Sequence, residues 1–407
     1  MEKHKYILSI KRKSLIIAFK FFFNLTFYLL CLRCVSIGLY NMSYSLFKRL
    51  LIALFAMGSV QAADLTWKFG AWSEGDWDHA TSNWTPGPTT FTNGDNVSFT
   101  VGNQGVTLVG TLRPGHISVS GDGTNRDLWK GTGNIQDPLT GDPCSVTWSG
   151  DRKVTGTNTM YNWSGGTTIT STGTLNIGNT ALLQVGSNTI TIDGGTLNLS
   201  DSGIMTLNNN ILVTSNHATF GAINGVYTLN GSLTLGGNLT ITEHAWGRPQ
   251  WQGGLVLTKD IVISGGQQHA SSFDTQIKGG GSGQYTLTIN NNYSFLLGAV
   301  ADTWDIGGLT KNGSGTLRIS AVNILGDQSS LEVSGSDQRI TVTAGVIDLT
   351  ANQLANAVDL NGTLYNTIGQ TIGATSSGAD IETAFITGTG IITLVAKPLY
   401  GTIIRID

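Results

Sequence analysis

Along much of the chain, apolar residues take every second position. Thr174-Leu-Asn-Ile177, Thr189-Ile-Thr-Ile192, Thr196-Leu-Asn-Leu199, Ser232-Leu-Thr-Leu235, Asn238-Leu-Thr-Ile241 and Tyr285-Thr-Leu-Thr-Ile289 all follow this rule, with Thr, Asn or Ser between the apolar residues. A period of two puts one row of side chains inward and the next outward, as in a half-buried strand. Each run is about four residues long, too short to be stable alone, and turns rich in Gly, Asn and Asp separate the runs. The phrase Gly173-Thr-Leu-Asn-Ile177 returns as Gly195-Thr-Leu-Asn-Leu199. That echo, about 22 residues apart, is close to one coil of a solenoid in which each strand lies over its counterpart in the coil below. The pattern predicts an all-β fold, a right-handed parallel β-helix (β-solenoid) with Leu175 stacked on Leu197. A β-sandwich of short strands is the competing architecture.

Before these echoes the pattern changes. Trp67, Trp72, Trp77 and Trp84 crowd into a short segment that leads to Asn93-Gly-Asp-Asn-Val-Ser-Phe99. A solenoid must hide the apolar interior of its first coil and block end-to-end stacking, so residues 63–164 are expected to form an aromatic-rich N-terminal cap. A sugar-binding platform of exposed indoles is the alternative. Residues 165–407 are then expected to be β-helix repeats.

Composition agrees with many short strands: 54 Gly and only 12% charged residues, against about 25% in an average domain. Charge is unevenly spread. Residues 1–62 hold nine Lys and Arg and one acid, leaving 14 basic and 25 acidic residues in 63–407. An acidic body disfavours nucleic acid as a partner, because counterion release needs clustered cations.

Residues 42–62 read as a Sec-type signal peptide: Lys48 and Arg49, an apolar stretch over 50–57, then Val60 and Ala62 at the −3 and −1 positions of the cleavage site. Ala63 is the expected first mature residue. Residues 1–41 are either a membrane segment or an upstream extension preceding a true start at Met42, and the second reading is preferred. Membrane contact is expected only through this leader or an unseen anchor. Cys31 and Cys34 lie in the leader, so Cys144 is the one mature cysteine. It is expected to be a buried small residue.

The order Leu65-Thr-Trp67, Trp77-Asp78, Ser82-Asn-Trp84, Asn93-Gly-Asp95 and Val97-Ser-Phe99 resembles the opening of large bacterial proteins with autotransporter-associated β-strand repeats. Gly307-Gly-Leu-Thr-Lys-Asn-Gly-Ser-Gly-Thr-Leu-Arg-Ile-Ser320 is similar to the repeat itself, and Ile340-Thr-Val-Thr-Ala-Gly-Val-Ile-Asp-Leu349 to its second half. The family's Asn-Thr-Tyr-x-Gly link is replaced by Asn323-Ile-Leu-Gly326. The resemblance implies a β-helical passenger at the outer-membrane surface or released outside the cell. No catalytic machinery comes with it. After the repeats too few residues remain for a membrane barrel, so release, capture by a partner and truncation at Asp407 all stay open.

One cluster suggests chemistry. Glu243, His244, Trp246, Arg248 and Trp251 fall where the strand pattern breaks, and loops carry function more often than scaffold strands do. These residue types suit a glycan or acidic sugar, with His269 and Asp274 able to join from the next coil. No catalytic residue, metal site or cofactor is assigned: Asp122-Gly-Thr-Asn-Arg-Asp127 lacks the spacing of a calcium loop, and no phosphate loop or hydrolase elbow is present. The expected function is a non-catalytic structural or adhesive surface protein, with surface glycans or neighbouring cells as partners. The alternative is a carbohydrate-binding or polysaccharide-degrading β-helix.

Overall fold

The computed structural model describes residues 62–320, except 88, 155–160, 179–188, 201–203, 245–246, 266–274, 279–280, 293 and 299–303, together with strands between 339 and 394. The chain divides into two compact units, Met1–Gln61 and Ala62–Asp407. Every described residue lies in the second, so the expectations for residues 1–61 fall outside them.

The fold is an all-β parallel solenoid. On one face Ile190–Asp193, Ile211–Val213, Leu233–Leu235 and Leu255–Leu257 pair in parallel. On a second, Thr174–Ile177, Thr196–Ser200, Ala218–Ile223 and Leu239–His244 do the same. On a third, Ile204–Leu207, Val226–Leu229, Arg248–Trp251 and Thr275–Ile277 form the next ladder. The two long strands Gly281–Asn290 and Trp304–Asn312 each contribute to the first and second faces, with a register shift between Gly283 and Thr286 marking the corner.

Alternation works here as it does in any half-buried strand, except that the inward rows meet inside a tube. Leu175 pairs with Leu197, Leu197 with Phe220 and Phe220 with Ile241, and all four are buried. On the third face Leu207, Leu229, Trp251, Ile277, Leu297 and Ile319 form one buried column. Burying a Leu or Ile side chain contributes about 1.5–3 kcal/mol. No four-residue strand survives on that alone, but stacking adds its neighbours' burial and a full ladder of backbone hydrogen bonds.

The stack does not begin at residue 165. Asp64–Trp67, Asn96–Phe99, His116–Val119, Ser145–Trp148 and Thr167–Thr170 pair in unbroken parallel order, so the 63–164 region is itself coiled. What sets it apart is its filling. Trp67 and Trp84 meet edge to face at 4.9 Å, Trp77 meets Phe91 at 5.4 Å, and Phe99, Trp129 and Trp148 continue the chain inward at 6.1 and 5.8 Å. The outer edge of the first strand is closed by Trp84–Thr85, which pairs antiparallel with it.

The far end mixes two kinds of pairing. Ala357–Leu360 and Ala379–Glu382 still stack in parallel on Arg339–Val342 and Gly345–Leu349, whereas Ala357–Leu360 with Thr363–Tyr365, Gln353–Ala355 with Ile392–Leu394, and Thr371–Ile372 with Ala384–Thr387 pair antiparallel. Leu360 pairs directly with Thr363.

Candidate functional site

Four residues of the cluster predicted around Glu243 fall on two strands. Glu243 and His244 end the strand Leu239–His244, where they pair with Ala222 and Ile223. Their side chains, with Trp246, His269 and Asp274, lie outside the described residues. The next strand, Arg248–Trp251, starts directly after Gly247. A Cβ at Gly247 would sit 2.0 Å from the Ala222 carbonyl oxygen, so the chain turns the corner tight against the coil below. Alternation then fixes the rest. Arg248 and Gln250 face outward, while Pro249 and Trp251 face inward. Trp251 is fully buried, 5.1 Å from the Phe220 ring, and offers no face to a sugar. Its reading as a glycan-binding residue is corrected to core.

The same burial decides the aromatic N-terminal region. Trp67, Trp77 and Trp84 are buried and close the end of the tube rather than forming a platform. Trp72 alone of that group is open, 57% exposed.

What the solenoid does present is in-register polar rows. On the second face Thr174, Thr196, Thr219 and Thr240 stand on successive coils, and two residues along runs a second row. Asn176 Nδ2 donates to Asp151 Oδ1 at 2.8 Å, and Asn198 Nδ2 donates to Asn176 Oδ1 at 2.9 Å. Gly221 occupies the next rung, where a Cβ would lie 1.9 Å from Asn198 Oδ1. On the first face Asp193 accepts from Thr214 Oγ1 at 2.5 Å and Asn216 Nδ2 at 2.7 Å, and the Thr214 bond, then the Asn216 bond, hold its carboxyl below the usual range. Nearer the N-terminus, Asp64, Asn96, His116 and Ser145 occupy one row. There Asn96 Nδ2 donates to Asp64 Oδ1 at 2.9 Å, and His116 Nδ1 lies 2.8 Å from Ser145 Oγ. Half-burial lowers the His116 pKa. This row is a stack of polar groups satisfying one another between coils.

Two buried cations escaped the sequence reading. Arg152 sits inward in place of an aliphatic residue, donating to the Gln104 carbonyl at 2.6 Å and the Val101 carbonyl at 3.3 Å. Burial pulls its pKa down to about 10, against the pull of Asp122 and Asp151. Lys311, in the Gly-Leu-Thr-Lys phrase, is fully buried, and its Nζ donates to the Asn312 and Gly313 carbonyls at 2.6 Å each. Burial lowers it to about 8. Their inward positions in an alternating strand are the only signal that could have found them. Cys144 is buried as expected, its thiol pushed up to about 12 by burial and then by Asp137. Among the described residues, no three His, Cys, Asp or Glu side chains gather in a metal-holding group. The chain matches no family model, no curated protein and no solved structure.

Proposed function

We propose that residues 63–407 form an exported, non-catalytic rod of the passenger type, structural or adhesive, that works at or beyond the cell surface. The observation that carries this reading is the pair of registered rows, Thr174/Thr196/Thr219/Thr240 beside Asn176/Asn198, on a stretch almost free of charge. Residues 154–242 contain no Lys or Arg and only two carboxylates, Asp193 and Asp201. Hydroxyls and amides repeated at strand spacing, about 4.8 Å, suit many weak contacts with a neutral, hydroxyl-rich polymer such as a surface glycan, and such contacts gain strength by multivalency. The leader at 42–62 and the resemblance to autotransporter-associated repeats support export.

Two measurements test the reading. Fractionation of the producing cell should find the protein in the outer membrane or the medium. Beads coated with residues 63–407 should adhere to glycan-coated or cell surfaces, and the Thr196→Lys/Thr219→Lys pair, which puts two charges into the row, should lose most of that adhesion while keeping the fold. Cytoplasmic retention, or adhesion indifferent to the row, would sink the proposal.

A further inference from the structure

The first described strand is tied down by one carboxylate. The backbone nitrogen of Ala63 donates to Asp95 Oδ1 at 2.9 Å, and Thr92 N–H donates to Asp95 Oδ2 at 2.8 Å. Asp95 is 6% exposed, and no side-chain cation among the described residues pairs with it. The surrounding backbone bonds close the knot. Asn96 N–H donates to the Ala63 carbonyl at 2.8 Å, and Gly115 N–H donates to the Asp95 carbonyl at 2.9 Å. Asp95 thus joins the start of the first coil to the start of the second, beside the ladder's outer edge.

A buried carboxylate held by two neutral amides is under-compensated, because burying a charge is costly unless a counter-charge accompanies it. The missing charge is supplied by position. Ala63 is the residue that the signal-peptidase pattern at Val60 and Ala62 makes the new N-terminus. Hydrolysis of the Ala62–Ala63 peptide bond adds the water's hydroxyl to the Ala62 carbonyl carbon and its proton to the Ala63 nitrogen. At neutral pH that amine takes a further proton from solvent. The atom that faces Asp95 as an amide N–H in the precursor becomes an ammonium group in the mature chain.

We propose that removal of the leader locks the N-terminal end of the rod, by converting the Ala63–Asp95 amide hydrogen bond into a part-buried ammonium–carboxylate pair. Before cleavage Asp95 holds the first coil through a neutral amide donor, with charge on one partner only. After cleavage both partners are charged, and the ion pair fastens the first coil to the second. Ala62 and Ala63 are both exposed, so the scissile bond lies outside the packed aromatic core. The inference depends on the export reading for its cleavage site, and on Asp95 for its chemistry, and the two can fail separately.

The test compares three forms of the mature chain: a free Ala63 amine, an Nα-acetylated Ala63, and a short extension restoring Gln61-Ala62 ahead of it. Unfolding of the free-amine form should be roughly five- to tenfold slower than that of either blocked form, the size expected of a hydrogen bond gaining a charge. Hydrogen exchange should place the difference in the first two coils. In Asp95→Asn the three forms should unfold alike. If that variant does not fold, the acetylated chain still decides, since acetylation leaves every side chain in place. Equal unfolding of free and acetylated chains would overturn the lock, as would a difference that persists in Asp95→Asn. Intact mass of the exported protein tests the other half, and a first residue other than Ala63 would overturn the coupling to processing even if the ion pair stabilises the recombinant chain.

Discussion

The aromatic coils near the N-terminus and the aliphatic coils between residues 165 and 265 share one ladder but keep it in different ways. In the aliphatic coils the bonds between neighbouring coils join residues 22 and 23 apart, and like residues stack on like. In the aromatic coils the corresponding spacings are 32 and 29, and the interior is filled by Trp and Phe meeting edge to face. A constant coil length lets Leu sit over Leu with no adjustment. A variable one leaves irregular volume, which a few large rigid rings fill better than many small side chains. Regular coils carry the repeat, whereas irregular ones close the end.

This contrast predicts that the two regions fail differently. Trp84→Ala removes a ring that contacts Trp67, Trp77 and Phe99 and opens the strand edge that Trp84 covers. We expect a loss of about 3–5 kcal/mol and, in hydrogen exchange, loss of protection across the first coils together. Leu199→Ala in the regular region should cost less, about 2–3 kcal/mol, with the loss confined to the coils on either side, since solenoid stability is largely a sum of neighbour terms. Equal spread of the two effects would dissolve the distinction.

Arg152 sharpens it. Its guanidinium fills space that an aliphatic residue occupies one coil on, at Leu175, and ties down the turn carbonyls of Val101 and Gln104. Arg152→Ala should cost about 3 kcal/mol, because it leaves both a cavity and unpaired carbonyls. Arg152→Met should recover the cavity part only, and urea unfolding would separate the two.

Lys311 provides the corresponding probe at the other end of the ladder. Its pKa falls from 10.5 to about 8 in the folded chain, so between those values the unfolded state binds more protons and stability rises with pH. Below about 8 both states are charged, and the burial penalty is present in full. Raising the pH from 7.5 to 10.5 should therefore stabilise the wild type by about 2 kcal/mol relative to Lys311→Met, after discounting for solvent screening. Chemical denaturation of both proteins across that range checks it, and parallel pH curves would refute it.

How much of this was legible beforehand follows from the same contrast. Alternation and the 22-residue echo placed Leu175 on Leu197 because both signals are local and repeated. Trp251 was misplaced because charged and aromatic residues were taken as a break, although Arg248-Pro-Gln-Trp251 still alternates and alternation, not residue type, decided that Trp251 points inward. Arg152 and Lys311 were hidden for the opposite reason. Long side chains can bury their stems and bring their charge to backbone carbonyls, and nothing in composition reports which carbonyls a coil will bring near.

The smallest expected effect concerns Trp72, the exposed member of the aromatic group. Its φ is 65°, in the left-handed region, as is that of Asn103 at 53° on the next turn, whose carbonyl accepts the Trp72 N–H at 3.1 Å. Asn tolerates this conformation, whereas a bulky side chain pays for it. Trp72→Asn keeps the backbone bond and the flexibility of the unfolded chain nearly constant, so the substitution isolates conformational strain from indole contacts. If the ring contributes little to packing, the variant should be more stable by about 0.5–1 kcal/mol, read as a small rise in the urea midpoint at unchanged slope. A fall instead would mean that the indole holds the first turn by contacts worth more than its strain, and Trp72 would then belong with Trp67, Trp77 and Trp84 as part of the end closure.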